Sequence, residues 1–134
     1  MVNTSNLSIS ALAQLCGLAT HTLRFYEEAG VLRPARRAPN GHRRYRDDDV
    51  QWVEFVLKLK ATGMPLADIR TYAELRAQGA ATLQDRLAML ERHQTRLAQK
   101  LNELASNAQV LETKMDVYRH QISTAHSTKP RKST

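Results

Sequence analysis

A chain of 134 residues has room for one compact domain, or for a small head with a simple extension. Its 20 Lys+Arg against 13 Asp+Glu leave a net charge of +7, which favours a polyanionic partner by steering and counterion release and decides nothing about fold. The single cysteine, Cys16, excludes an internal disulfide framework and a multi-thiolate metal site, no run approaches the roughly 20 apolar residues of a membrane span, and the opening MVNTSNLSIS lacks the basic start and apolar core of a secretory signal, so a cytoplasmic protein with no membrane partner is expected.

Ile9, Leu12, Ala13 and Cys16 form the stripe of a first helix, with Ser8 placed to cap it and Gly17 to stop it. A second short helix reads Thr20 to Ala29 and ends at Gly30. Leu23, Tyr26 and Phe25 are its inward candidates, which leaves His21, Arg24, Glu27 and Glu28 outside. Two short helices across a glycine-bearing turn have the outline of a helix-turn-helix. Residues 31–46 then break the helical period, since Pro34 and Pro39 forbid a continuous helix. Asn40-Gly41 suits a two-residue hairpin turn because both positions tolerate positive φ. The predicted hairpin carries Arg33, Arg36, Arg37, Arg43, Arg44 and Arg46 with no acidic residue among them, the densest cationic patch in the chain.

Asp47, Asp48 and Asp49 open a third helix, where carboxylates complement the positive end of the helix dipole. Val50, Val53, Phe55, Val56, Leu57 and Leu59 are its apolar positions and Trp52 is its expected anchor. Thr62-Gly63-Met64-Pro65 closes it and starts a fourth helix, patterned by Leu66, Ile69, Tyr72, Ala73 and Leu75 up to about Gly79. From Thr82 onward Leu83, Leu87, Leu90, Gln94, Leu97, Leu101, Leu104, Ala108, Leu111, Met115, Tyr118 and Ile122 recur at alternating spacings of four and three, a heptad seam unbroken by Gly or Pro. Some 40 residues at 1.5 Å each make a helix about 60 Å long, too long for a small head to cover. Each buried leucine is worth roughly 1.5–3 kcal/mol, so a partner helix is required, and a second copy of the chain is the simplest source. The Ser/Thr/Lys/Arg-rich tail has too little apolar surface to order itself. The expected division is a head over 7–79, a dimerisation helix over 80–123 and a disordered basic tail over 124–134.

A DNA-binding head needs a helix for the major groove, cations for phosphates and a device that fixes register. The second helix offers Thr20, His21, Thr22, Arg24 and Tyr26, and the hairpin offers Arg36, Arg37, Arg43, Arg44 and Tyr45 around Gly41 and His42. Tyr26 and Tyr45 can equally be core aromatics. The order of these motifs resembles the MerR family of bacterial regulators. The run TLRFYEEAGVLRPARRAPNGHRRYRDDDV from Thr22 to Val50 carries the family's "TLR-aromatic-Tyr-Glu" helix, its glycine, its "NGxRxY" wing and the acidic start of the next helix. TGMPLADIR from Thr62 to Arg70 and the heptad helix continue the match. The resemblance implies a mainly α fold, with a winged helix-turn-helix head and an antiparallel coiled coil between two subunits. It further implies a homodimer on a near-palindrome in double-stranded promoter DNA, controlling RNA polymerase by bending and undertwisting the spacer. By the same likeness Thr22, Arg24 and Tyr26 contact bases or phosphates, and Arg43, Arg44 and Tyr45 grip the backbone. Ala19 departs from the family's usual serine cap.

The signal is harder to read. Metal-sensing members carry cysteines at the dimer interface and in a C-terminal loop, and this chain's C-terminal half has none; drug-sensing members append a ligand domain for which it leaves no room. It is most similar to the short branch that responds to aldehydes and other electrophiles, yet Lys58 stands where that branch has its third-helix cysteine. Cys16 lies on the apolar stripe of the first helix and reads as a core residue. His93, His120 and His126 give no local pair at i, i+3 or i+4, so no metal site is expected. Without a Ser/His/Asp grouping, a glycine-rich phosphate loop or paired carboxylates, neither enzyme activity nor a cofactor is expected. The remaining alternative is a coiled-coil adaptor that binds nucleic acid or protein with no promoter preference.

Overall fold

Local chemistry dictates where the first helices begin and end. The computed structural model describes residues 6–33, 36–37 and 43–127, with the backbone alone for Arg36, Arg37 and Arg43. Helix α1 (Ile9–Cys16) starts where the Ser8 hydroxyl accepts the Ala11 N–H at 3.1 Å. It stops at Gly17, whose φ of 69° is left-handed, and the Leu18 N–H returns to the Ala13 carbonyl at 2.9 Å. Helix α2 (Thr20–Glu28) follows after that turn, capped at Ala19 by no side chain. Its Leu23 and Tyr26 are buried as expected, whereas Phe25 is 50% exposed and is corrected from an inward to an outward position.

Strands β1 (Arg36–Arg37) and β2 (Arg43–Arg44) pair antiparallel, Arg36 with Arg44 and Arg37 with Arg43. The turn expected at Asn40-Gly41, with Pro34 and Pro39, lies outside the described residues. The hairpin is pinned at its base, because Leu7 and Tyr45 exchange backbone hydrogen bonds of 2.8 and 2.7 Å. The segment before α1 thus becomes a third partner of the hairpin.

Helix α3 (Asp47–Ala61) opens on the three aspartates, and Asp49 accepts the N–H of the capping Arg46 at 2.8 Å. It buries Trp52, Val53, Val56 and Leu59, while Phe55 lies at the surface against Trp52 and Tyr72. After Gly63, with a φ of 89°, Pro65 caps helix α4 (Leu66–Ala77), which contributes Ile69 and Tyr72. A 3-10 turn over Gly79–Thr82, not foreseen from the pattern, leads into helix α5 (Leu83–Ser127). Thr82 is buried there and its hydroxyl donates to carbonyls of Leu75 and Gly79.

Two compact units result, one ending at His93 and one beginning at Gln94. The head therefore extends beyond residue 79, because the first turns of α5 join its core: Met89 and Leu90 pack against it, and the buried His93 meets the Thr62 hydroxyl at 2.7 Å. Leu90, which the heptad row places in the expected seam, packs against the head's core in this chain. In the second unit Leu101, Leu104, Leu111, Met115, Tyr118 and Ile122 are 46–66% exposed, as are Leu83 and Leu87 earlier on the helix, and Leu97 is half-buried. The helix continues through Ser127, so residues 124–127 are ordered rather than part of a disordered tail. Among the described residues no helix is long and apolar enough to cross a membrane.

Candidate nucleic-acid interface

The outward face of α2 follows from which residues its inner face spends on packing. With Leu23 and Tyr26 turned into the core, a rotation of about 100° per residue leaves His21, Arg24, Phe25 and Glu28 exposed on one side. Thr20 and Thr22 are half-buried at the flanks. The face is polar along its length in a particular sense. Its N-terminal turns carry the dipole's positive end, an imidazole and a guanidinium, and its last turn carries Glu27 and Glu28. A polyanion is therefore attracted to the N-terminal half and repelled at the C-terminal end.

Tyr26 of α2 and Tyr45 of the hairpin, which the family likeness carries to DNA, take the alternative place of core aromatics. Tyr26 is only 1% exposed; its hydroxyl accepts a hydrogen bond from Lys60 Nζ at 3.1 Å, and the same ammonium lies 5.3 Å from the ring centre. Tyr45 is fully buried, and its hydroxyl donates to the Glu27 carboxylate. Neither ring is available to bases or phosphates in this conformation. Tyr45 instead ties the base of the hairpin to the last turn of α2, while its backbone ties the hairpin to Leu7. These bonds link the base of the hairpin to the end of α2 and to the segment before α1.

The hairpin places Arg36, Arg37, Arg43 and Arg44 on two paired strands. Arg44 is half-buried, and its Nε is enclosed without a hydrogen-bond partner among the described residues. Such a group gains by meeting an acceptor. Gly41 and His42 fall outside the described residues. Beside the hairpin, Trp52 Nε1 donates to the Val31 carbonyl at 2.7 Å, so the segment leaving α2 is anchored to α3. Phe25 is the residue that sequence reasoning turned the wrong way; its position about 200° around the helix from Leu23 was the signal for the outward assignment.

The other candidate chemistry is quieter. Among the described residues no three His, Cys, Asp or Glu side chains group as metal ligands. Cys16 packs at the edge of the core, where burial and then the negative charge of Glu54 push its thiol above the ordinary range. The thiolate, the reactive form, is thereby depleted at neutral pH. Alkylation by iodoacetamide should be slower at pH 7 than for a free cysteine and still rising with pH at about 9. Glu54→Gln should lower the thiol's pKa and accelerate the reaction at pH 8. A rate that levels off below that pH contradicts the assignment of Cys16 as inert. Lys58 is exposed on α3.

Comparison with known proteins bears on this geometry. The sequence profile of the MerR HTH family regulatory proteins matches residues 7–75, and a second, described as MerR, DNA binding, matches residues 50–114. An HTH-type transcriptional regulator from Haemophilus influenzae is 36% identical over 79% of this chain and 78% of its own length. Among solved structures, HiNmlR, a MerR family regulator lacking the sensor domain and bound to promoter DNA, superimposes with a TM-score of 0.74 at 32% identity over 88% of this chain and 94% of that one. A MerR family transcriptional regulator from Listeria monocytogenes gives a TM-score of 0.84 at 25% identity over 92% and 94% of the two chains.

Proposed function

This chain belongs to the MerR family of DNA-binding transcriptional regulators, and from that premise we propose that it works as a homodimer on a near-palindromic promoter element. Each protomer sets the N-terminal half of α2 into the major groove through Thr20, His21, Thr22 and Arg24. It lays the wing arginines Arg36, Arg37, Arg43 and Arg44 along the adjoining phosphates. The observation that carries the reading is the link between helix and wing: the Tyr45 side chain reaches Glu27 at the end of α2 and its backbone reaches Leu7, so the arginine-bearing hairpin is tied to the helix.

Two copies are joined along α5, whose apolar row is otherwise left in water. A second helix-and-wing head then meets the duplex one or more turns away, and the fixed distance between the heads sets the DNA shape that both can grip. Bending and undertwisting of the spacer follows as the means of presenting the promoter to RNA polymerase. A MerR family regulator of 32% identity, described as bound to promoter DNA, supports this reading. The signal, a small molecule or a stress, acts through something other than Cys16, which packs at the edge of the head's core.

The test is the salt dependence of operator binding. Arg43→Ala and Arg44→Ala should each weaken binding to all duplexes alike and reduce the slope of log affinity against log salt by about 1 per protomer. Slopes equal to wild type in both variants mean that these side chains do not meet phosphate and remove the wing from the interface.

A further inference from the structure

Phe25 is the one large apolar side chain on the outward face of α2, half exposed between His21, one turn before it, and Glu28, one turn after. We propose that Phe25 is a specificity-determining residue that recognises the C5-methyl group of a thymine in each half-site. The inference rests on the reading that α2 enters the major groove.

The argument starts from what the ring cannot do. A phenyl group neither donates nor accepts a conventional hydrogen bond, so it reads no edge of guanine, cytosine or adenine and neutralises no phosphate. Pressed against those polar groups it would strip their water and return nothing. The major groove holds one apolar feature that differs among the four base pairs, the thymine methyl. The ring is also held ready for such a contact. It leans on the buried Tyr26, with centroids 6.1 Å apart and planes at 51°, and Tyr26 is itself fixed by Lys60. A ring backed by the core presents its far edge to the groove at little entropic cost.

Position along the helix agrees. His21 and Phe25 are one turn apart, about 6 Å along the axis, a separation that spans roughly two base pairs of duplex. Arg24, beside Phe25, is long enough to take a guanine edge or a phosphate while the phenyl ring meets its neighbour. The polar residues of α2 then supply hydrogen bonds and charge, and Phe25 supplies the one wholly apolar side chain on that face.

The experiment removes the methyl group and nothing else. The full chain selects its own duplex from a random library, and each thymine of the enriched sequence is replaced in turn by deoxyuridine. Wild-type protein should lose about fourfold in affinity at one thymine per half-site and about fifteenfold when both are replaced. Phe25→Ala should bind the thymine duplex correspondingly more weakly and be indifferent to deoxyuridine at that position. Phe25→Leu, which keeps an apolar group, should retain part of the discrimination. Circular dichroism should show both variants folded, because the ring lies outside the buried core. A wild-type protein insensitive to every such replacement overturns the proposal, and so does a Phe25→Ala protein with the full thymine preference. If no sequence is enriched at all, promoter recognition fails first and takes this inference with it; enrichment without methyl sensitivity strikes Phe25 alone.

Discussion

Leu101→Glu combined with Leu104→Glu should leave the protein monomeric at micromolar concentration in sedimentation velocity, with operator affinity reduced at least a hundredfold. Both side chains are more than half exposed on α5 and contribute nothing to the head's core. In a dimer the double substitution removes four leucines from the seam, at roughly 1.5–3 kcal/mol each, or about 6–12 kcal/mol in total. A dimer of micromolar affinity is held by about 8 kcal/mol, so the loss is of the size of the whole association. Glutamate is a good helix former, and propensity alone therefore does not explain the outcome. The helical signal of the second unit should nevertheless fall, because a long helix without a packed face is marginal in water. The head should melt as a separate transition near its wild-type temperature. Dimers that persist in this variant would place the subunit contact elsewhere.

Much of the fold was legible because local rules act locally. Ser8 and Gly17 bracket α1 by satisfying its terminal backbone groups, and the aspartates at 47–49 open α3 by the same electrostatics that favours carboxylates at any helix start. The heptad row declared itself by repetition. Where the reading strayed, the deciding partner was distant in sequence. Tyr26 and Phe25 are adjacent aromatics with similar propensities; the core takes Tyr26, whose hydroxyl then accepts from Lys60, 34 residues on. Tyr45 follows two arginines in a cationic hairpin and reads equally as a DNA contact or a core aromatic until Glu27 and Leu7 claim it. Leu90 obeys the heptad, yet the head's core reaches it first. The helix also continues to Ser127, past the last strong apolar position, since Ala125 favours a helix and Ser and Thr resist it only weakly.

These corrections bear on how the interface works. A tyrosine that contacts DNA directly would leave the spacing of helix and wing to the DNA itself. Tyrosines buried beneath both elements make that spacing a property of the folded head, present before DNA arrives. On the proposed promoter reading, specificity would depend on how well a duplex fits that spacing, the condition under which deformation of DNA is read as energy. Tyr45 is on this account a positioning residue, linked to function through the elements it joins.

The same reasoning makes Trp52 a residue on which the head's integrity depends. Its indole N–H donates to the Val31 carbonyl, its ring stacks on Tyr72 at 5.7 Å with planes 6° apart, and the Arg76 guanidinium lies 4.7 Å from the ring centre. Three segments meet there: the exit from α2, α3 itself and α4. Trp52→Ala should destabilise the head by about 3–5 kcal/mol from the cavity alone, with a further contribution of roughly 1 kcal/mol from the hydrogen bond lost at Val31. Small domains lose about 4–8 °C of melting temperature per kcal/mol, so a drop of at least about 12 °C is expected at a fixed protein concentration. Trp52→Phe separates the two effects: the stacked ring stays, the donor goes, and the drop should be a fraction of that seen with alanine. Because Val31 stands between α2 and the wing, the phenylalanine variant should also bind DNA more weakly while remaining folded. A near-normal melting temperature in Trp52→Ala would mean that the α2 exit is held by Val31 and Leu32 packing without the indole, and the preset spacing would then need another anchor.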